Sequence, residues 1–101
     1  MEVRIVRPLH NMIVGERIEL ICQSSGSRPP ARIQWYKDDR LMEHFSETTS
    51  DDGSVTTNYM AFIPTIDDNG RRLKCLAKND QFERFELSDQ IELNIQCKLS
   101  F

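Results

Sequence analysis

No run of apolar residues in this 101-residue chain approaches the roughly 18 that a membrane-spanning helix needs. Histidine occurs twice, at His10 and His44, with no second ligand at metal spacing, whereas a zinc site takes about four nitrogen or sulfur ligands. A glycine-rich phosphate loop, a nucleophile elbow and a Ser, His and Asp set are all missing. The expectation is therefore a non-enzyme without metal or cofactor. Asn11, Asn58, Asn69, Asn79 and Asn94 all lack Ser or Thr two positions on, so no N-glycosylation is expected. Basic residues are outnumbered, 13 against 16 acidic ones, for a net charge of -3. That balance argues against a nucleic-acid groove or an anionic membrane surface as partner. The opening Met1-Glu2-Val3-Arg4-Ile5 lacks the basic-then-apolar layout of a signal peptide. An extracellular domain with that start is expected to be part of a longer protein. Cysteine is scarce and odd in number: Cys22, Cys75 and Cys97 allow one pair and one residue left over.

Period-two alternation is abundant. Ile18, Leu20 and Cys22 alternate with Arg17, Glu19 and Ile21, and Ile33 and Trp35 with Arg32, Gln34 and Tyr36. Leu73, Cys75 and Ala77 alternate with Lys74, Leu76 and Lys78, and Ile91, Leu93 and Ile95 with Glu92, Asn94 and Gln96. Each run reads as an antiparallel strand wetted on one side. The four glycines and four prolines fall between the runs. Gly26-Ser27-Arg28-Pro29-Pro30 breaks the chain before the tryptophan strand, because proline cannot donate to a ladder. Lys37–Arg40 is a polar turn, Ser50-Asp51-Asp52-Gly53 a hairpin signal, and Asp67–Gly70 a turn into the Cys75 strand. Strands are expected near 3–7, 11–14, 17–23, 32–37, 40–43, 45–49, 54–63, 71–79 and 86–96. With no helical run, repeat or linker, residues 1–101 are expected to form one all-β sandwich of two antiparallel sheets, about seven to nine strands.

Cys22, Trp35 thirteen residues on and Cys75 forty further resemble the core signature of an immunoglobulin-superfamily domain of the C2 or I type. Gly15-Glu16-Arg17-Ile18, Asp68-Asn69-Gly70, Leu73 and Cys75–Asn79 extend the resemblance over nearly the whole chain. The stretch from Ser25 to Trp35 is similar to nephrin-like and sidestep-like cell-surface receptors. The resemblance implies an inter-sheet Cys22–Cys75 disulfide, with Leu20, Ile33, Trp35 and Leu73 around it. Two buried reduced thiols are the alternative. A disulfide implies an extracellular location, because such bonds do not persist in the cytosol. Cys97 is left as a free thiol, a bond to a following domain or an intermolecular link. The sequence departs from many such domains at Leu73, where a corner tyrosine is common, and at Gly70, one residue further from Cys75 than usual.

The resemblance implies adhesion or guidance recognition between cells, with another immunoglobulin-superfamily ectodomain and the adjacent domains of its own chain as partners. Alternatives are a structural spacer in a tandem array and a secreted immune-type binder. Alternation turns Arg32, Gln34, Tyr36, Lys74, Leu76, Lys78, Glu92 and Asn94 outward on one sheet. Tyr36 among basic side chains suits an interface anchor. Phe82 and Phe85, in a loop where burial is not evident, are the second candidate surface.

Overall fold

Alternating apolar and polar residues can bury only one face of each strand, so the strands must stack in two layers. A computed structural model of the chain describes residues 2–6, 11–26, 30–79 and 86–97. Among these, ten strands form: β1 (Glu2–Val6), β2 (Met12–Ile13), β3 (Ile18–Ser25), β4 (Arg32–Lys37), β5 (Arg40–Met42), β6 (Phe45–Thr49), β7 (Val55–Phe62), β8 (Arg72–Lys78), β9 (Glu86–Glu92) and β10 (Ile95–Gln96). One antiparallel sheet has the order β1-β3-β7-β6 and the other β5-β4-β8-β9. Their inner faces bury Leu20, Cys22 and Met60 against Ile33, Trp35, Leu73, Cys75 and Ala77. The fold is an all-β sandwich.

Cys22 and Cys75 are bonded across the two layers, and Cys97 is exposed and unpaired. The bond sits in a transverse row that alternation alone does not reveal. Ile5, Cys22, Asn58 and Glu47 stand side by side across β1, β3, β7 and β6. Asp89, Cys75 and Trp35 stand side by side across β9, β8 and β4. Each member of the first row reaches across to the second sheet. The Ile5 amide donates to Asp89 Oδ2 at 2.9 Å. Trp35 Nε1 donates to Asn58 Oδ1 at 2.7 Å. Glu47 Oε1 accepts from the Ile33 amide at 3.1 Å and from Asn58 Nδ2 at 3.3 Å. Ile33 lies on β4 beyond the reach of β5, and Ile5 on the free side of β1. Both carboxylates thus satisfy backbone donors that no strand takes up, as buried polar groups require.

Three details differ from the sequence expectation. The last strand is broken: Gly70 N–H bonds Leu93 O at 2.7 Å, Leu93 N–H bonds Arg71 O at 2.8 Å, and Asn69 Oδ1 accepts the Ile95 amide at 2.9 Å. Released from β8, the chain then pairs as β10 in parallel with β2. The 50–53 hairpin forms as expected but its connection runs one residue further, with β7 starting at Val55 and Thr49 opposite Thr56 as the last strand pair. Its Asp52 carboxylate accepts from the Ser54 hydroxyl and amide and the Ser50 hydroxyl, which hold it down at about 2. Finally, a short 3-10 turn forms at Ile66–Asp68.

That turn anchors the corner that Leu73, fully buried, cannot tie with a hydroxyl. Asp68 accepts from the Thr65 amide at 2.8 Å and from Lys37 Nζ at 2.7 Å. Burial pushes the Asp68 carboxyl up, but the Lys37 ammonium and the Thr65 amide outweigh it, and the net direction is down. A carboxyl lowered by folding stabilises above its unfolded value, and that contribution disappears as pH falls through the folded value. The thermal midpoint is therefore expected to drop below about pH 4. Asp68→Asn should lower the neutral midpoint and remove part of the acid slope, checked by calorimetry from neutral to acid pH.

A candidate recognition face

The outer face of the β5-β4-β8-β9 sheet gathers most of the residues that alternation turned outward. Directly opposite residues in antiparallel strands project on the same side, with their Cβ atoms about 4.5–5.5 Å apart. Tyr36 pairs with Lys74, and Lys74 with Gln90. Gln34 pairs with Leu76, Arg32 with Lys78, and Arg72 with Glu92. Asn94 is exposed but lies beyond β9, outside these rows. Phe82 and Phe85 lie outside the described residues.

Leu41 was missed by the sequence reading. Asp38 and Asp39 both adopt left-handed backbone, φ 46° and 69°, as a tight two-residue hairpin turn requires. The turn sets Lys37 opposite Arg40 and therefore Tyr36 opposite Leu41, which is 45% exposed. Asp-Asp at this turn was the available signal, because aspartate tolerates the left-handed region better than most residues.

Side-chain geometry fixes the centre of the face. Lys74 Nζ stands 5.3 Å from the centroid of the Tyr36 ring, within range of a cation–π contact. The Tyr36 hydroxyl donates to Gln34 Oε1 at 3.0 Å. The ring thus has a cation over its face and a polar partner at its hydroxyl. Beside it, Tyr36, Asp38, Asp39, Arg72, Lys74 and Gln90 line a hollow of about 250 Å³. Asp38 at its rim is already engaged. Arg71 Nη1 donates to Oδ2 at 2.8 Å and the Arg72 amide to Oδ1 at 3.1 Å, and these bonds lower the Asp38 carboxyl. A second hollow, about 350 Å³, opens on the other sheet's outer side between Arg17, Glu19, His44, Phe45 and Tyr59. Among the described residues no group of His, Cys, Asp and Glu is placed to hold a metal, and no helix is long and apolar enough to cross a membrane. The arrangement presents contact area and charge.

Residues 4–85 match the family of CD80-like C2-set immunoglobulin domains. Cell adhesion molecule 3 of Xenopus laevis is 28% identical over 88 residues, which cover 83% of this chain and 22% of that protein. Nephrin of Rattus norvegicus is 26% identical over 85 residues, 81% of this chain and 7% of nephrin. The chain thus spans about a fifth or less of the length of these relatives. The crystal structure of the full ectodomain, Ig1–Ig3, of mouse nectin-like molecule 4 superposes with a TM-score of 0.75 at 22% identity. It covers 95% of this chain and 33% of that one.

Proposed function

The chain belongs to the CD80-like C2-set immunoglobulin domains, and from that membership we propose that it is a non-enzymatic recognition module of an extracellular adhesion or guidance protein. The Cys22–Cys75 bond supports an oxidising compartment. Similarity to cell adhesion molecule 3 and nephrin supports the adhesion class. One observation carries the reading. Tyr36, Leu41 and Leu76 lie together on the outer face of β5-β4-β8-β9, ringed by long polar side chains. An aromatic anchor with apolar neighbours inside a polar rim is the composition of a protein interface. The partner on this reading is another immunoglobulin-superfamily ectodomain, approached face to face. Phe82 and Phe85 join the proposal on sequence alone.

The test is a tetramer of the domain screened against cells displaying immunoglobulin-superfamily ectodomains. Tyr36→Ala with Leu76→Ser is expected to weaken any binding by about tenfold or more, as loss of a hot spot does. Thr57→Ala, on the opposite sheet, should leave it unchanged. A hit insensitive to the first pair removes this face from the reading. A second reading, a spacer touching only neighbouring domains, is favoured by Ile63 and Ile66. They are 61% and 54% exposed at the same end of the sandwich as the corner and β10. Binding to no displayed ectodomain would favour it.

A further inference from the structure

The outer face of β5-β4-β8-β9 runs against the sign of the molecule. The chain carries -3 overall. Among the described residues its strand rows hold Arg32, Arg72, Lys74 and Lys78 against Glu86 and Glu92, with Asp38 and Asp39 at the β4–β5 turn. Within the rows the charges are sorted by strand: the cations stand on the central strands β4 and β8, Glu86 and Glu92 on the edge strand β9. Lys78 meets Glu86 only at 3.9 Å, with both side chains about half exposed. Neither Arg72 nor Lys74 has a carboxylate within 4.0 Å of its charged end among the described residues. Both line the hollow beside Tyr36, where Asp38 is held by Arg71 and Asp39 is the other carboxylate.

We infer, resting on the recognition reading above, that this face binds a protein surface with carboxylates around an apolar centre, the carboxylates seating against Arg72 and Lys74 and the apolar groups against Leu41, Tyr36 and Leu76. Complementary charge of this kind sets partner choice and encounter rate. A second copy of the chain is disfavoured. A two-fold contact sets the same patch against itself, so the cationic centres would oppose each other. A sulfated polysaccharide would match the cations but brings no apolar groups to Leu41, Tyr36 and Leu76, and it would meet Glu86 and Glu92 on the flank.

The experiment is a titration of the ¹⁵N-labelled domain followed by backbone amide shifts. The probes are a peptide of alternating Glu and Phe, the same peptide with Gln for Glu, a heparin tetrasaccharide, and dilution of the domain alone. The acidic peptide is expected to move the amides of Tyr36, Leu41, Lys74, Leu76 and Gln90. Its affinity should fall about tenfold between low and high salt, because exposed charges are screened. Arg72→Glu with Lys74→Glu should abolish these shifts while the dispersion of the spectrum stays native. Equal binding of the Gln peptide would leave the interface standing and overturn the acidic preference. Heparin moving the same amides while the acidic peptide does not would overturn the protein partner, and shifts on dilution alone would assign the face to a second copy. No shift with any probe would overturn both the acidic partner and the face itself.

Discussion

Cys22→Ala with Cys75→Ala is expected to lower the unfolding free energy by about 2–5 kcal/mol, measured by urea titration of the oxidised wild type against the double variant. The bond spans 53 residues, and closing a loop of that length removes unfolded-state freedom worth about 4 kcal/mol on the chain-entropy model. Both cysteines must be changed together, because a single variant leaves a thiol free to pair with the exposed Cys97. The effect should fall on the unfolded chain more than on the native one. Three other links cross the sandwich in the same row, through Ile5 and Asp89, Trp35 and Asn58, and Ile33 and Glu47. The double variant should therefore keep the near-ultraviolet signature of a buried Trp35 at low temperature. Its dependence on urea should steepen, as a less constrained unfolded chain exposes more surface. A loss under about 1 kcal/mol with an unchanged slope would show that the unfolded chain is compact even without the bond.

The strands and the outward residues were legible because both depend on period-two alternation, which is local. The runs around Leu20, Ile33, Trp35 and Leu73 each point one face inward in sequence and in space alike. The cross-sheet polar links were not legible, although alternation marks their members. Ile91, Leu93 and Ile95 point inward, and stepping back by two reaches Asp89. Met60 points inward, and stepping back reaches Asn58. A polar residue at such a position announces a cross-core bond but not its partner. Asn58 finds Trp35 23 residues away, and Asp89 finds Ile5 84 residues away. The break between β9 and β10 has the same cause, since Gly70 and Asn69 draw the chain off β8 from a distant corner. On the proposed recognition face, Arg32, Gln34, Tyr36, Lys74 and Leu76 came from alternation. Leu41 needed the hairpin register, which rests on the left-handed backbone of Asp38 and Asp39.

Asn58→Ala should cost the protein about 2–4 kcal/mol, through two separable terms. Asn58 and Trp35 are both fully buried, so removing the amide leaves the indole N–H without an acceptor. An orphaned buried donor costs about 1–3 kcal/mol. The rest is the cavity left by the amide. Asn58→Leu refills most of that volume and leaves the orphan, so it should recover part of the loss and no more. Glu47→Gln isolates the remaining contribution, because its amide oxygen still accepts from Ile33 and Asn58. If the bonds matter and the charge does not, that variant should stay within about 1 kcal/mol of wild type. The decisive measurement is a cycle with Trp35→Phe, which deletes the donor itself. In that background Asn58→Leu should be nearly neutral, giving a coupling energy of about 1–3 kcal/mol. A coupling near zero would mean that the indole finds another acceptor when Asn58 is gone. The hydrogen bond beside the disulfide would then be replaceable, and Cys22–Cys75 would carry the cross-sheet constraint at the centre of the row alone.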